Sequence, residues 1–83
     1  MDVKILGTGC PKCKRLEQVA REALAEMGVE ATISKVTAMA DIMSFDITAT
    51  PGLVIDGRVV SSGRIPNKAE VTSMIATALT NEA

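Results

Sequence analysis

The chain has 83 residues, with nine Lys and Arg against ten Asp and Glu for a formal net charge of −1. That length holds one domain, residues 1–83, and the balanced charge speaks against general nucleic-acid binding, which needs a broad basic field. Hydrophobic residues make up 47% and aromatics only 1%, so the expected core is aliphatic around the single Phe45, and no segment approaches the roughly 20 apolar residues that span a bilayer.

Asp2 to Leu6 reads as a short apolar strand buried inside a sheet, after which Gly7-Thr8-Gly9 turns the chain. From Pro11 to Met27 the residues Leu16, Val19, Ala20, Ala23, Leu24 and Met27 recur at intervals of three and four. Charged residues fill the other face, which predicts an amphipathic helix stopped by Gly28. Glu17 and Arg21 form an exposed i,i+4 pair on it. Val29 to Val36 alternates and is predicted to be a strand parallel to the first, completing a right-handed βαβ unit. Thr37 is placed to cap a second helix, Ala38 to Phe45, that buries Met39, Ile42, Met43 and Phe45. An irregular stretch follows over 46–52. Leu53-Val54-Ile55 and Arg58-Val59-Val60, joined by Asp56-Gly57, form an antiparallel hairpin, because Asp-Gly supplies the positive φ angles of a two-residue turn. Asn67 and Glu70 have the spacing of a capping box. The last helix runs from Lys68 to Leu79 with Val71, Met74, Ile75, Ala78 and Leu79 inward, and the tail from Thr80 is expected to fray. The fold class is therefore α/β: a four-stranded mixed sheet flanked by three helices in the order βαβαββα.

The chemistry is concentrated in Cys10-Pro11-Lys12-Cys13. These are the only two cysteines, and there is no histidine to serve either as a partner base or as a fellow metal ligand. With Pro11 at the first helical position, Cys10 falls at the cap, facing free backbone N–H groups that favour a thiolate. Lys12, Lys14 and Arg15 add positive charge at the end of a helix where cations do not normally collect, which fits a neighbouring anion better than helix stabilisation. Each of them also fits an ordinary solvated face, and Pro11 serves equally as a helix starter. Cys13 opens the apolar stripe and faces inward, so one sulfur attacks and the other resolves. The chain starts directly in a strand, without the apolar run of a signal peptide, and a cytoplasmic location is expected. In a reducing compartment a lone cysteine pair is catalytic, redox-sensing or metal-binding rather than a structural staple.

Cys10-Pro11-Lys12-Cys13 resembles the Cys-Pro-x-Cys site of glutaredoxins. Phe45-Asp46-Ile47-Thr48-Ala49-Thr50-Pro51, with the following strand, turn glycine and strand through Val60, looks like the aromatic-x-Ile-x-x-x-Pro block of the thioredoxin-like superfamily. Gly63 falls where those proteins carry a glycine near the site, and the whole chain is similar to the compact redox proteins sometimes called minimal thioredoxins. The resemblance implies a thiol–disulfide oxidoreductase with Cys10 and Cys13 as the reacting pair, tuned by Pro11 and Lys12. It implies a cis Thr50-Pro51 peptide against that pair, with the Thr50 backbone, Pro51 and Gly63 receiving an extended substrate segment. Neither a bound cofactor nor a metal is required. The implied partners are disulfide-containing proteins and a thioredoxin-reductase-like or thiol reductant, met by a monomer with no membrane role. The chain departs from the family in three places. Gly9 stands where a Trp would precede the first cysteine, no acidic residue lies mid-strand in Val3-Lys4-Ile5-Leu6 to take a proton beneath Cys13, and Gly63 to Lys68 lacks the Gly-Gly-x-Asp-like glutathione segment. Arg64 and Lys68 remain as candidates to meet a carboxylate. The alternative is a soft-metal carrier, since Gly7-Thr8-Gly9-Cys10-Pro11-Lys12-Cys13 also resembles the metal loop of ferredoxin-like copper and heavy-metal binding domains; these usually carry a Met where Thr8 stands.

Overall fold

In the computed structural model, which describes residues 1–80, the apolar strand β1 (Asp2–Leu6) runs inside a four-stranded sheet. The other elements are α1 (Pro11–Met27), β2 (Thr32–Val36), α2 (Met39–Met43), β3 (Gly52–Ile55), β4 (Arg58–Ser62) and α3 (Lys68–Thr80). The strand order is β2-β1-β3-β4, with β2 parallel to β1 and the β3–β4 hairpin antiparallel, which is the mixed α/β sheet and element order expected from the residues.

Alternation along the two inner strands creates two unequal faces. Val3, Ile5, Leu53 and Ile55 meet Leu16, Val19, Ala20, Ala23 and Leu24 of α1 and Val71 and Ile75 of α3. On the reverse, Leu6 and Val54 meet Ile42 of α2, with Val36, Phe45, Ile47 and Val59 packed around them. Local signals set the ends of the elements. Gly28 closes α1 at φ 67°, where its N–H donates to the Ala25 carbonyl and Val29 N–H reaches the Leu24 carbonyl at 3.0 Å, a left-handed cap that suits glycine. Asp56 and Gly57 take φ 49° and 81° in the hairpin turn, as a two-residue connection requires. The Asn67 side chain accepts from Glu70 N–H at 2.8 Å, and the Glu70 carboxylate accepts from Asn67 N–H at 3.2 Å, so both halves of the capping box form. Between β3 and β4 the register slips: Val54 faces Val59 but Leu53 faces Ser61, leaving Val60 as the extra residue of a bulge.

Several expectations are corrected. Strand β2 begins at Thr32 rather than Val29, because β1 is only five residues long and its first residue, Asp2, already pairs with Thr32. The second helix is five residues, not eight, and Ala38 rather than Thr37 is its cap, in an extended conformation without a side-chain bond. So short a helix turns one side chain to the sheet: Ile42 is buried, while Met39 and Met43 are 56% and 64% exposed and Phe45 is half-buried. Leu79 is exposed beyond the Val71–Ile75 stripe. Thr80, expected to fray, is helical; the remaining tail lies outside the described residues. Among the described residues no helix is long and apolar enough to cross a membrane.

Candidate active site

Three segments distant in sequence meet at one end of the sheet. β1 ends at Leu6 and leads into the cysteine loop; Leu6 pairs with Gly52 at the start of β3, and Gly52 pairs with Ser62 at the end of β4. The next step of that register sets Gly7, Pro51 and Gly63 side by side.

Cys10 caps α1 with an extended backbone (φ −67°, ψ 164°), and Pro11 occupies the first turn. Cys13 N–H donates to Cys10 Sγ at 3.3 Å and Lys14 N–H to the Cys10 carbonyl at 3.1 Å. The two sulfurs are joined as a disulfide across a Cα–Cα distance of 5.1 Å. Their surroundings differ sharply, since Cys10 is half-buried while Cys13 is only 5% exposed. Lys12, Lys14 and Arg15 are all exposed, with no ion-pair partner among the described residues, and the first turn of α1 carries no acidic residue. The uncompensated charge around Cys10 is therefore positive, and it adds to the positive end of the helix.

Gly7 has a role beyond turning the chain. A Cβ there would collide with Cys13 Sγ and stand 3.2 Å from Cys13 Cβ, so the buried sulfur lies directly on the backbone of the strand end. We expect Gly7→Ala to destabilise the protein by about 1–3 kcal/mol through overpacking, read as a shift of the thermal unfolding midpoint. An unshifted midpoint would mean that Cys13 is free to move aside.

The Thr50-Pro51 peptide is cis. Pro51 is buried while Thr50 is exposed, with no backbone hydrogen-bond partner among the described residues. Gly63 N–H donates to the Pro51 carbonyl at 2.9 Å. Gly63 has φ 77°, and a Cβ on it would lie 3.1 Å from Ala49 Cβ, so glycine alone suits this close approach. The structure thus brings together Cys10, Pro11, Lys12, Cys13, Thr50, Pro51 and Gly63 at the same end of the molecule. Arg64 and Lys68 are different. Arg64 binds Glu70 at 2.7 Å and Lys68 binds Glu26 at 2.6 Å, so both charges already have internal partners. Glu70 is held below the usual carboxylate range by Arg64 first and by the Asn67 backbone second. Among the described residues no three His, Cys, Asp or Glu side chains gather where they would hold a metal ion.

One polar group escaped the sequence reasoning. Glu17 does pair with Arg21, at 2.8 Å, but also with Lys35 of β2 at 3.0 Å, and its side chain is only 15% exposed. Glu17 thus forms the expected exposed pair with Arg21 and gains Lys35 as a further partner from another element. The hydrogen bonds from Arg21 and then Lys35 hold its carboxyl below the ordinary 4.5. A sequence signal existed: Glu17 lies four residues after Cys13, on the face of α1 that also carries the buried sulfur.

Comparison with known proteins agrees with this arrangement. The family described as thioredoxin domain matches residues 1–76. A thioredoxin of Methanothermobacter thermautotrophicus is 40% identical over 76 residues, covering 92% of this chain and 99% of its own. A thioredoxin of Methanocaldococcus jannaschii is 38% identical over 69 residues, covering 83% of this chain and 79% of its own.

Proposed function

From the premise that this chain belongs to the thioredoxin family and is a thiol–disulfide oxidoreductase, we propose that it reduces protein disulfides with Cys10 as the attacking and Cys13 as the resolving sulfur. The observation that carries this reading is the asymmetry of the pair. Cys10 is reachable, sits at a helix cap and lies among unpaired cations, while Cys13 is sealed against Gly7 within bonding distance. Cys10 thiolate attacks one sulfur of the substrate disulfide and expels the other. Cys13 then attacks Cys10, releases the second substrate sulfur and closes the intramolecular disulfide. A thioredoxin-reductase-like enzyme or a thiol reductant returns the pair to the dithiol. The chemistry is complete in two sulfurs and calls for no bound cofactor.

Thr50, Pro51 and Gly63 form the receiving surface in this proposal. The exposed Thr50 backbone offers hydrogen bonds to an extended segment carrying the target disulfide, the mode in which a strand is added to a free backbone edge. Pro11 and Lys12 tune Cys10, the first by starting the helix at its cap and the second by its charge. The proposed location is the cytoplasm, where a reducing poise keeps such a pair cycling rather than locked.

Turnover on a model protein disulfide such as insulin tests the proposal. Cys10→Ser should abolish reduction. Cys13→Ser should stop after one event and accumulate a covalent mixed disulfide on Cys10, visible by mass. A Cys13→Ser variant that turns over normally would refute the two-sulfur scheme. Copper retained at stoichiometry by the purified protein, with no disulfide turnover, would favour the carrier instead.

A further inference from the structure

The resolving step, as read above, requires Cys13 to give up a proton, and β1 supplies no carboxylate beneath it. Lys4 stands mid-strand and is bound to Asp2. Nearby, one small cavity of about 50 Å³ is lined by Cys13 and by Glu17, one helical turn further along α1, with Lys35, Thr37 and Gly7 completing the wall. That volume has room for a water molecule. Glu17 is fixed in place by two cations from different elements, Arg21 on α1 and Lys35 on β2.

The geometry points to Glu17 as the proton acceptor for Cys13 in the resolving step, reached across this cavity, with Lys35 as its ion-pair partner on β2. In that step the Cys13 Sγ–H bond breaks and the proton passes to a Glu17 carboxylate oxygen. The sulfur's electron pair forms the bond to Cys10 Sγ, and the Cys10–substrate bond breaks. The substrate sulfur leaves as a thiolate and is protonated from solvent, while Glu17 later returns its proton to water. Over the two steps the dithiol loses two electrons and the substrate disulfide gains them. The charged groups facing Glu17 are Arg21, Lys35 and, along the cavity wall, Lys14. They keep it in the accepting, ionised form and also limit its basicity. The two partners of the ion pair should therefore respond in opposite directions when replaced, which a purely structural brace would not do.

Mixing reduced protein with the aromatic disulfide dithiobis(nitrobenzoate) separates the steps. Attack by Cys10 frees one coloured thiolate at a rate that depends on reagent concentration, and resolution by Cys13 frees a second at a rate that does not. Glu17→Gln should slow the second phase by about 100-fold, the lower end for a positioned acid–base group. Lys35→Met, which leaves a stronger base, should speed that phase at the same pH. A second phase within threefold of the parent in Glu17→Gln overturns the assignment, and so does Lys35→Met slowing it. If Glu17→Gln does not fold, the Lys35→Met result decides alone, faster supporting and slower or equal overturning. An unsubstituted protein with no second phase at all would defeat the two-cysteine reading itself, which distinguishes that failure from this one.

Discussion

Titrated by its ultraviolet thiolate absorbance, the reduced protein should show Cys10 ionising with a midpoint below the roughly 8.5 of a free thiol. The cause is cumulative. The cap position places Cys10 Sγ within 3.3 Å of the Cys13 N–H, the helix end adds its partial positive charge, and Lys12, Lys14 and Arg15 stand nearby with no acidic residue in the first turn to cancel them. Each unit of acidification raises the anion fraction at a pH well below the midpoint about tenfold. Intrinsic nucleophilicity falls about threefold at the same time, so alkylation at that pH should quicken by only about threefold per unit. Absorbance is thus the sharper measurement. Lys12→Glu should move the midpoint upward by about half a unit to one unit, the size expected for reversing a charge at a helix end. Cys10→Ser should remove the low transition altogether. A midpoint at or above 8.5 in the unsubstituted protein would contradict the electrostatic account.

Leu16→Ala should cost about 2–5 kcal/mol. Leu16 is fully buried one turn after Cys13, where α1 is pinned to the sheet against Val3, Ile5 and Leu53. A domain this small has about 5–15 kcal/mol of stability in all, so the loss is a large share of it. The thermal midpoint should fall by roughly 10–30 °C, and the urea midpoint should fall with little change in slope. Met43→Ala is the useful contrast. Met43 is an apolar side chain of similar size on a helix, but it is 64% exposed, and its loss should stay within about 0.5 kcal/mol. Equal effects from the two substitutions would mean that the core does not lie where α1 meets the sheet.

Leu16 and Met43 show what the sequence makes legible. α1 was readable because seventeen residues give nearly five turns, enough for one face to repeat and for Gly28 to mark the stop. The hairpin and the α3 cap were readable because Asp56-Gly57 and Asn67…Glu70 are local devices whose geometry depends on few neighbours. The second helix was misjudged because apolar residues over a single turn and a half carry no reliable phase, so Met39 and Met43 looked as inward as Ile42. The start of β2 depended on the length of a partner strand some thirty residues away. At the site, Cys10 and Cys13 stand out by type and spacing, whereas Pro51 and Gly63 are expected there only through the family resemblance. Glu17 with Lys35 was missed because the i,i+4 rule assigned Glu17 to Arg21, and nothing local links it to a residue eighteen positions on. Gly7 was read as a turn residue because only packing reveals the sulfur lying over it.

The bulge at Val60 determines what stands across from Pro51. Pairing without an extra residue would run Leu53 to Val60, Gly52 to Ser61 and Pro51 to Ser62, whereas the observed slip advances the count by one and delivers Gly63 to the proline carbonyl. One surplus residue in an edge strand therefore selects a bare backbone rather than a hydroxymethyl group for the rim of the redox centre. Excising Val60 would leave both sulfurs intact and change the shape of the floor on which a client chain must lie.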